Sequence, residues 1–233
     1  MTRKILFQRD LMREFFLGLQ AELPILLGVA PFGMIFGVLA TSAGLSSLSA
    51  QATSSIIFAG SSQFILVQLV NLGTPALMMI LTGFVINLRH ALYSISIAPY
   101  LIRLSVPWKM LLGYLLTDEA YAVSIMRYRK GDEDGRAHWF FLGSGLALWV
   151  CWQLSTAAGI FLGAQIPPGW GLDFTLALTF IALAVPAVTD RHTLLAAVSA
   201  GAVALLASGL PYKLGLIAAA VVGISVGYWS EQR

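Results

Sequence analysis

The chain has 233 residues, 58% hydrophobic and only 11% charged, with a mean hydropathy of +0.82. Soluble domains carry roughly 25% charged residues. The composition therefore excludes a disordered chain, a nucleic-acid binder and an ordinary soluble enzyme, and points to a bilayer as the solvent. The net charge of +3 comes from basic residues in short connecting segments, which reads as a topology signal. Cys151 is the single cysteine, so no disulfide can form within the chain.

Residues 1–22 mix Arg3, Lys4, Arg9 and Arg13 with Asp10 and Glu14. They are predicted as a cytoplasmic amphipathic lead-in, not a cleavable signal, because the apolar run that follows is too long for a signal core and lacks a small-residue cleavage pattern. Residues 23–233 read as one transmembrane helical domain. With about 20 apolar residues needed per span, spans are predicted at 23–45, 50–72, 76–102, 108–126, 138–164, 172–188, 192–209 and 212–229. The last two are short, so the expectation is an all-α polytopic membrane protein of seven or eight transmembrane helices. The apolar runs are continuous and do not alternate, which favours helices over a barrel.

Orientation follows from counting basic residues. With the N-terminus inside, Arg3, Lys4, Arg9, Arg13, Arg127, Arg129, Lys130, Arg136, Arg191 and Arg233 are cytoplasmic, and Arg103, Lys109 and Lys213 fall outside. That bias predicts a cytoplasmic N-terminus. Trp108, Trp139, Trp170 and Trp229 stand at predicted span ends, where indoles favour the headgroup layer. Gly33/Gly37, Gly159/Gly163 and Gly223/Gly227 form GxxxG pairs that permit close helix approach. No internal repeat is evident in the residues themselves.

Polar residues at bilayer depth are costly, about 2.5–3.5 kcal/mol for a charge on insertion scales, so they mark candidate sites. Asn87-Leu88-Arg89-His90 lies at the centre of the 76–102 span, too deep for Arg89 to reach water easily. Asp118-Glu119 lies midway along 108–126, and one of these carboxylates can face Arg89. Such a pair is either a structural ion pair or part of a substrate or proton site, with His90 adjacent and able to titrate near neutral pH. Gly60-Ser61-Ser62-Gln63 lies mid-span in 50–72. Gly60 is predicted to unwind the helix there, creating a half-helix N-terminus that attracts a carboxylate. Pro31, next to Phe32 and Gly33, is predicted to interrupt the first span as well, so the first two spans are expected to be discontinuous near mid-membrane.

No G-x-x-x-x-G-K loop, H-E-x-x-H motif, metal-ligand cluster or G-x-S-x-G elbow is present. Neither cofactor nor metal is expected, and the chain is not read as an enzyme. A triad of Ser61 or Ser62 with His90 and Asp118 is geometrically conceivable and has no other support.

Four motifs carry a resemblance. They are Leu23-Pro24 through Pro31-Phe32-Gly33 and Phe36-Gly37; Phe58-Ala59-Gly60-Ser61-Ser62-Gln63-Phe64; Asn87-Leu88-Arg89-His90-Ala91-Leu92-Tyr93-Ser94; and Thr117-Asp118-Glu119-Ala120-Tyr121-Ala122. In order and spacing they resemble the AzlC family, the large subunit of bacterial branched-chain amino-acid exporters. The resemblance implies an inner-membrane exporter of valine, leucine, isoleucine and similar amino acids such as methionine, coupling to the proton gradient, and a small multi-span AzlD-type partner subunit. On that reading Phe32, Gly60, Ser61, Ser62, Gln63, Asn87 and Arg89 are expected to contact substrate. His90, Asp118 and Glu119 are expected to handle the proton. The aliphatic side chain is expected against Phe32, Phe58 or Phe64. The alternatives are a non-transporting structural or assembly subunit and a small-solute channel.

Overall fold

A computed structural model describes residues 2–131, 136–165, 188–210 and 214–232. Among these the chain is helical and has no strand, as expected for an all-α membrane protein. The helices are α1 (Thr2–Ser42), α2 (Ser47–Ile56), α3 (Gly60–Asn71), α4 (Ala76–Leu101), α5 (Val106–Tyr114), α6 (Asp118–Arg129), α7 (Ala137–Gly163), α8 (Arg191–Leu206) and α9 (Leu214–Glu231). Among the described residues four stretches are long and apolar enough to cross a membrane: Asp10–Ser42, Ala76–Leu101, Ala137–Gly163 and Leu214–Glu231. Large apolar side chains such as Leu27, Leu92, Ile95, Phe161 and Ile224 stand exposed on them, a surface suited to lipid and not to water. The predicted span 172–188 falls almost entirely outside the described residues.

The chain divides into two compact units, Met1–Val67 with Ile86–Pro168 and Gln68–Val85 with Gly169–Arg233. In the second unit α8 and α9 pack antiparallel. Gly215 meets Ala207, Gly223 meets Ala200, and Gly227 meets Ala196. Asp190 caps α8 in a reciprocal box with Thr193, and the Thr193 amide bonded to it holds its carboxyl below the usual carboxylate range.

The first unit is organised by α1 and α7, which run parallel. A Cβ on Gly18 would meet the Phe140 backbone, on Gly37 the backbone of Thr156 to Ile160, on Gly159 that of Met34, and on Gly163 the Val38 backbone and Thr41. The GxxxG pairs of α1 and α7 thus face each other within one chain, letting the backbones touch. This contact accounts for the first departure from expectation. α1 continues without interruption through Pro24 and Pro31. Each proline removes one backbone bond, but glycine-to-backbone packing on both sides of Pro31 holds the helical path.

The second predicted span is broken, as expected. α2 ends at Ile57, which leaves helical geometry at φ −107°, ψ 62°, and α3 begins at Gly60. Gly60 suits this place because a Cβ there would lie 3.1 Å from the Trp152 ring.

The fourth predicted span is corrected. Residues 108–126 are not one helix but the two half-helices α5 and α6, separated by Leu115–Thr117. Thr117 is extended and its hydroxyl accepts the Ala120 amide, while Asp118 and Glu119 occupy the first turn of α6, where carboxylates favour the helix N-terminus. Moreover, α5 and α6 enter and leave by one face. Trp108 of α5 packs on His138 and Trp139 at the start of α7. Tyr100 near the end of α4 packs on Tyr128 near the end of α6. Arg127 and Arg136 bond Glu14 and Asp10 of α1. The pair is a re-entrant hairpin from the face where α1 and α7 begin.

α2 and α3 form the opposite hairpin. α2 follows the far end of α1 after a four-residue turn, and its last turns bond Gln153 and Thr156 of α7. In α3, Ser61 meets Arg89 and Ser62 meets Asn87, so α3 runs antiparallel to α4 and back toward the face where α1 ends. Half-helices of 10 and 12 residues are matched by half-helices of 9 and 12 residues. Each 10-residue helix is about 15 Å long, half the ~30 Å hydrocarbon core. A span followed by a hairpin therefore occurs twice with inverted direction, a repeat at the level of elements that the residues alone do not display.

Candidate functional site

The two hairpin breaks meet. Tyr114, which ends α5, donates to the Ser55 carbonyl near the end of α2 and accepts from Trp149 Nε1 at 2.7 Å. Its ring lies 6.1 Å from that of Phe58. The half-helices α3 and α6 thus start close to each other, with opening amides that have no partners inside their own helices.

Arg89 of α4 joins them. Its Nη1 lies 2.6 Å from Asp118 Oδ2 in the first turn of α6. Its Nη2 donates to the Ser61 hydroxyl in the first turn of α3. Two further atoms of this pair are buried without a partner among the described residues, Arg89 Nε and Asp118 Oδ1. One is a donor on a cation and the other an acceptor on an anion. An arginine side offers its fork to a carboxylate, and an aspartate oxygen accepts from an ammonium. The open positions suit a small zwitterion. Beside them Ser62 donates to Asn87 Oδ1 at 2.7 Å.

Gly60, Ser61, Ser62, Asn87, Arg89 and Asp118 are therefore brought together. Gln63 is present but occupied. It is fully buried, its Nε2 donates to the Ser54 and Ile57 carbonyls at 3.2 and 2.7 Å, and its Oε1 accepts from Trp152 Nε1 at 3.1 Å. It caps the carbonyls left open where α2 stops, so its side chain has no free group to offer a ligand. His90 is half-buried and sets its ring edge-on to Tyr93, and Tyr93 stacks on Tyr121 of α6 at 4.5 Å. Glu119 follows Asp118 in α6, half-buried.

Phe58 and Phe64 are core residues. Phe64 packs on Phe36, which stacks on Trp152, and Phe58 packs on Tyr114. Phe32 stays half-buried on α1. Apolar room lies elsewhere, in a cavity of about 230 Å³ between α4, α5 and α7 lined by Ser94, Ile97, Ala98, Leu112, Leu116 and Phe141, with Lys109 at its edge. It extends along α4 to within five residues of Arg89, about 7.5 Å of helix.

One buried ionisable residue was not singled out in the sequence. Glu22 of α1 is fully buried and accepts the Ser144 hydroxyl at 2.6 Å. It stands among the charges of the expected lead-in, and only the continuation of α1 against α7 reveals it as interior.

Residues 24–166, which contain every residue of the cluster, match the sequence model of the family described as AzlC protein. The chain belongs to the AzlC family. The chain is 35% identical over 220 residues to an uncharacterized membrane protein of Archaeoglobus fulgidus, covering 92% of this chain and 94% of that one. It is 28% identical over 186 residues to the inner membrane protein YgaZ of Escherichia coli, covering 77% and 76%. A membrane protein of Helicobacter pylori strain J99 is 24% identical over 177 residues, covering 75% of each. No solved structure matches this AzlC chain. It is a membrane protein by family and by its apolar helices.

Proposed function

We propose that this AzlC-family protein is the large subunit of a secondary transporter that exports branched-chain amino acids. Valine, leucine and isoleucine are the principal substrates and methionine a further one. The observation that carries the reading is the Arg89–Asp118 pair with Nε and Oδ1 left open where two half-helices begin. The substrate carboxylate lies against Arg89 and the opening turn of α3, and its ammonium against Asp118. The aliphatic chain points toward the apolar cavity along α4. Inverted hairpins around a mid-depth site fit alternating access, in which one repeat rocks against the other. Glu119 and His90, flanking the pair, are the groups that exchange a proton, and a small AzlD-type subunit completes the exporter.

On this reading the N-terminus lies on the cytoplasmic side of the inner membrane. Re-entry of α5 and α6 moves Arg103 and Lys109 to the face that already holds Arg3, Lys4, Arg9, Arg13, Arg127, Arg129, Lys130 and Arg136 by connectivity. The opposite loops of the first unit, 43–46 and 164–165, contain no basic residue.

The test is flux of radiolabelled valine in vesicles holding the protein with its small partner. Counterflow that competes with leucine and isoleucine, and accumulation that responds to a pH gradient, are expected. No valine movement in protein shown to be inserted would overturn the reading. Equilibration indifferent to the gradient would make it a channel instead.

A further inference from the structure

The proposed substrate site leaves Glu22 unused, and its surroundings are unusual for a carboxyl group at bilayer depth. Oε2 accepts the Ser144 hydroxyl, while Oε1 is buried with no partner among the described residues. Such a group is costly to bury unless it is matched or has a task. No described cation pairs with it. Arg89 is engaged by Asp118, Arg127 by Glu14 and Arg136 by Asp10.

The groups around Glu22 come from every helix packed on α1. From α7 there are Ser144 and, further along, the Cys151 thiol, which leans on the Leu26 carbonyl at 3.9 Å. His138, at the start of α7, packs on Trp108. From α6, Glu119 stands level with Glu22, because Arg127 bonds Glu14 and, on these antiparallel helices, Glu119 lies eight residues before Arg127 as Glu22 lies eight residues after Glu14; Asp118 is turned to Arg89. α2 carries no charged residue. On α1 itself, Glu14 lies two turns earlier, held by Arg127.

Glu22 and Glu119 thus sit on facing helices, one anchored by a hydroxyl and the other next to the Arg89–Asp118 pair. Two interacting carboxyl groups can hold one proton between them. We infer that Glu22 is a proton-binding site, and that a proton passes between the Glu119 carboxyl and Glu22 Oε1. When it leaves Glu119, that group becomes a carboxylate beside the substrate site and Glu22 becomes neutral; the return reverses both. No other reactant is required. The coupling role rests on the transport reading above, whereas the proton site itself does not.

Two measurements on the full-length protein separate these. Infrared difference spectra between acid and alkaline buffer are expected to show a protonated-carboxyl band that Glu22→Gln abolishes and Glu14→Gln leaves in place. In vesicles with the small partner, Glu22→Gln is expected to keep valine counterflow and lose accumulation driven by a pH gradient. Gradient-driven accumulation that survives Glu22→Gln overturns the coupling role, and a band that survives it overturns the proton site. If the wild-type protein moves no valine, the transport reading fails while the band still decides for or against Glu22. Should Glu22→Gln fail to insert, Ser144→Ala removes the hydroxyl held by Oε2 and is expected to move the pH at which the band appears. An unmoved band overturns the proposal.

Discussion

Trp108 packs edge-on against Trp139 with ring centroids 5.3 Å apart, which places the start of α5 and the start of α7 at one depth. A single span over 108–126 would put them on opposite faces of the membrane. In a Cys151→Ala background, single cysteines at Arg103 and Lys109 are therefore expected to react with an impermeant thiol reagent from the same side as one at Arg129. A cysteine at Ser47 is expected to react from the other side. Labelling of Arg103 and Arg129 from opposite sides would rule out the re-entrant hairpin.

Hydropathy finds spans because it measures what lipid tolerates. The expected spans 76–102 and 138–164 accordingly coincide with α4 and α7 to within a residue at each end. It cannot see whether an apolar run crosses or turns back, since both are equally apolar. The turn did leave a mark in Thr117-Asp118-Glu119, a capping residue followed by two acidic ones, which is a helix start and not a helix middle. At Pro31 the reverse happened. A local breaker signal was overridden by Gly37 and Gly159 packing on the facing helix, and such tertiary contacts are not written in either segment alone. The Arg89–Asp118 pair was legible because stranded charges seek each other. The role of Gln63 was not, since an amide mid-span reads the same whether it caps a carbonyl or awaits a ligand.

The Arg89–Asp118 pair should behave as a site and not only as a clamp. Removing one partner strands the other. Each side chain is about a third exposed, at 32% and 37%, so Arg89→Ala or Asp118→Asn is expected to cost about 1–2 kcal/mol, less than the ~3 kcal/mol of a fully buried pair. The double variant Arg89→Ala/Asp118→Ala is expected to recover stability in detergent melting and to remain inactive in valine counterflow. Recovery of counterflow in the double variant would reduce the pair to a structural tie.

Gln63 should matter for stability before it matters for affinity. Gln63→Ala frees the Ile57 carbonyl and the Trp152 indole N–H in a dry interior and leaves the Ser54 carbonyl to Gln153 Nε2 alone. Each buried group left unmatched costs about 1–3 kcal/mol. A large fall in melting temperature is expected, with valine KM unchanged in whatever fraction remains folded. A raised KM at unchanged melting temperature would return Gln63 to the substrate site.

Close approach of α1 and α7 sets the distance on which both hairpins depend, because α2 bonds Gln153 and Thr156 while Tyr114 of α5 bonds Trp149. A Cβ on Gly159 would lie 2.0 Å from the Met34 carbonyl oxygen. The obstacle is backbone, so no rotamer change relieves it, and overpacking of this kind costs about 1–3 kcal/mol or more. Gly159→Leu is expected to abolish folded protein in detergent gel filtration. Gly113→Leu is the control, since nothing lies within 4 Å of its Cβ position, and its stability is expected to be near that of the unaltered chain. Gly113 also lines the apolar cavity, so in that same variant the added side chain is expected to narrow the space and weaken transport of leucine more than of valine. Equal loss for both amino acids would detach the cavity from substrate selection.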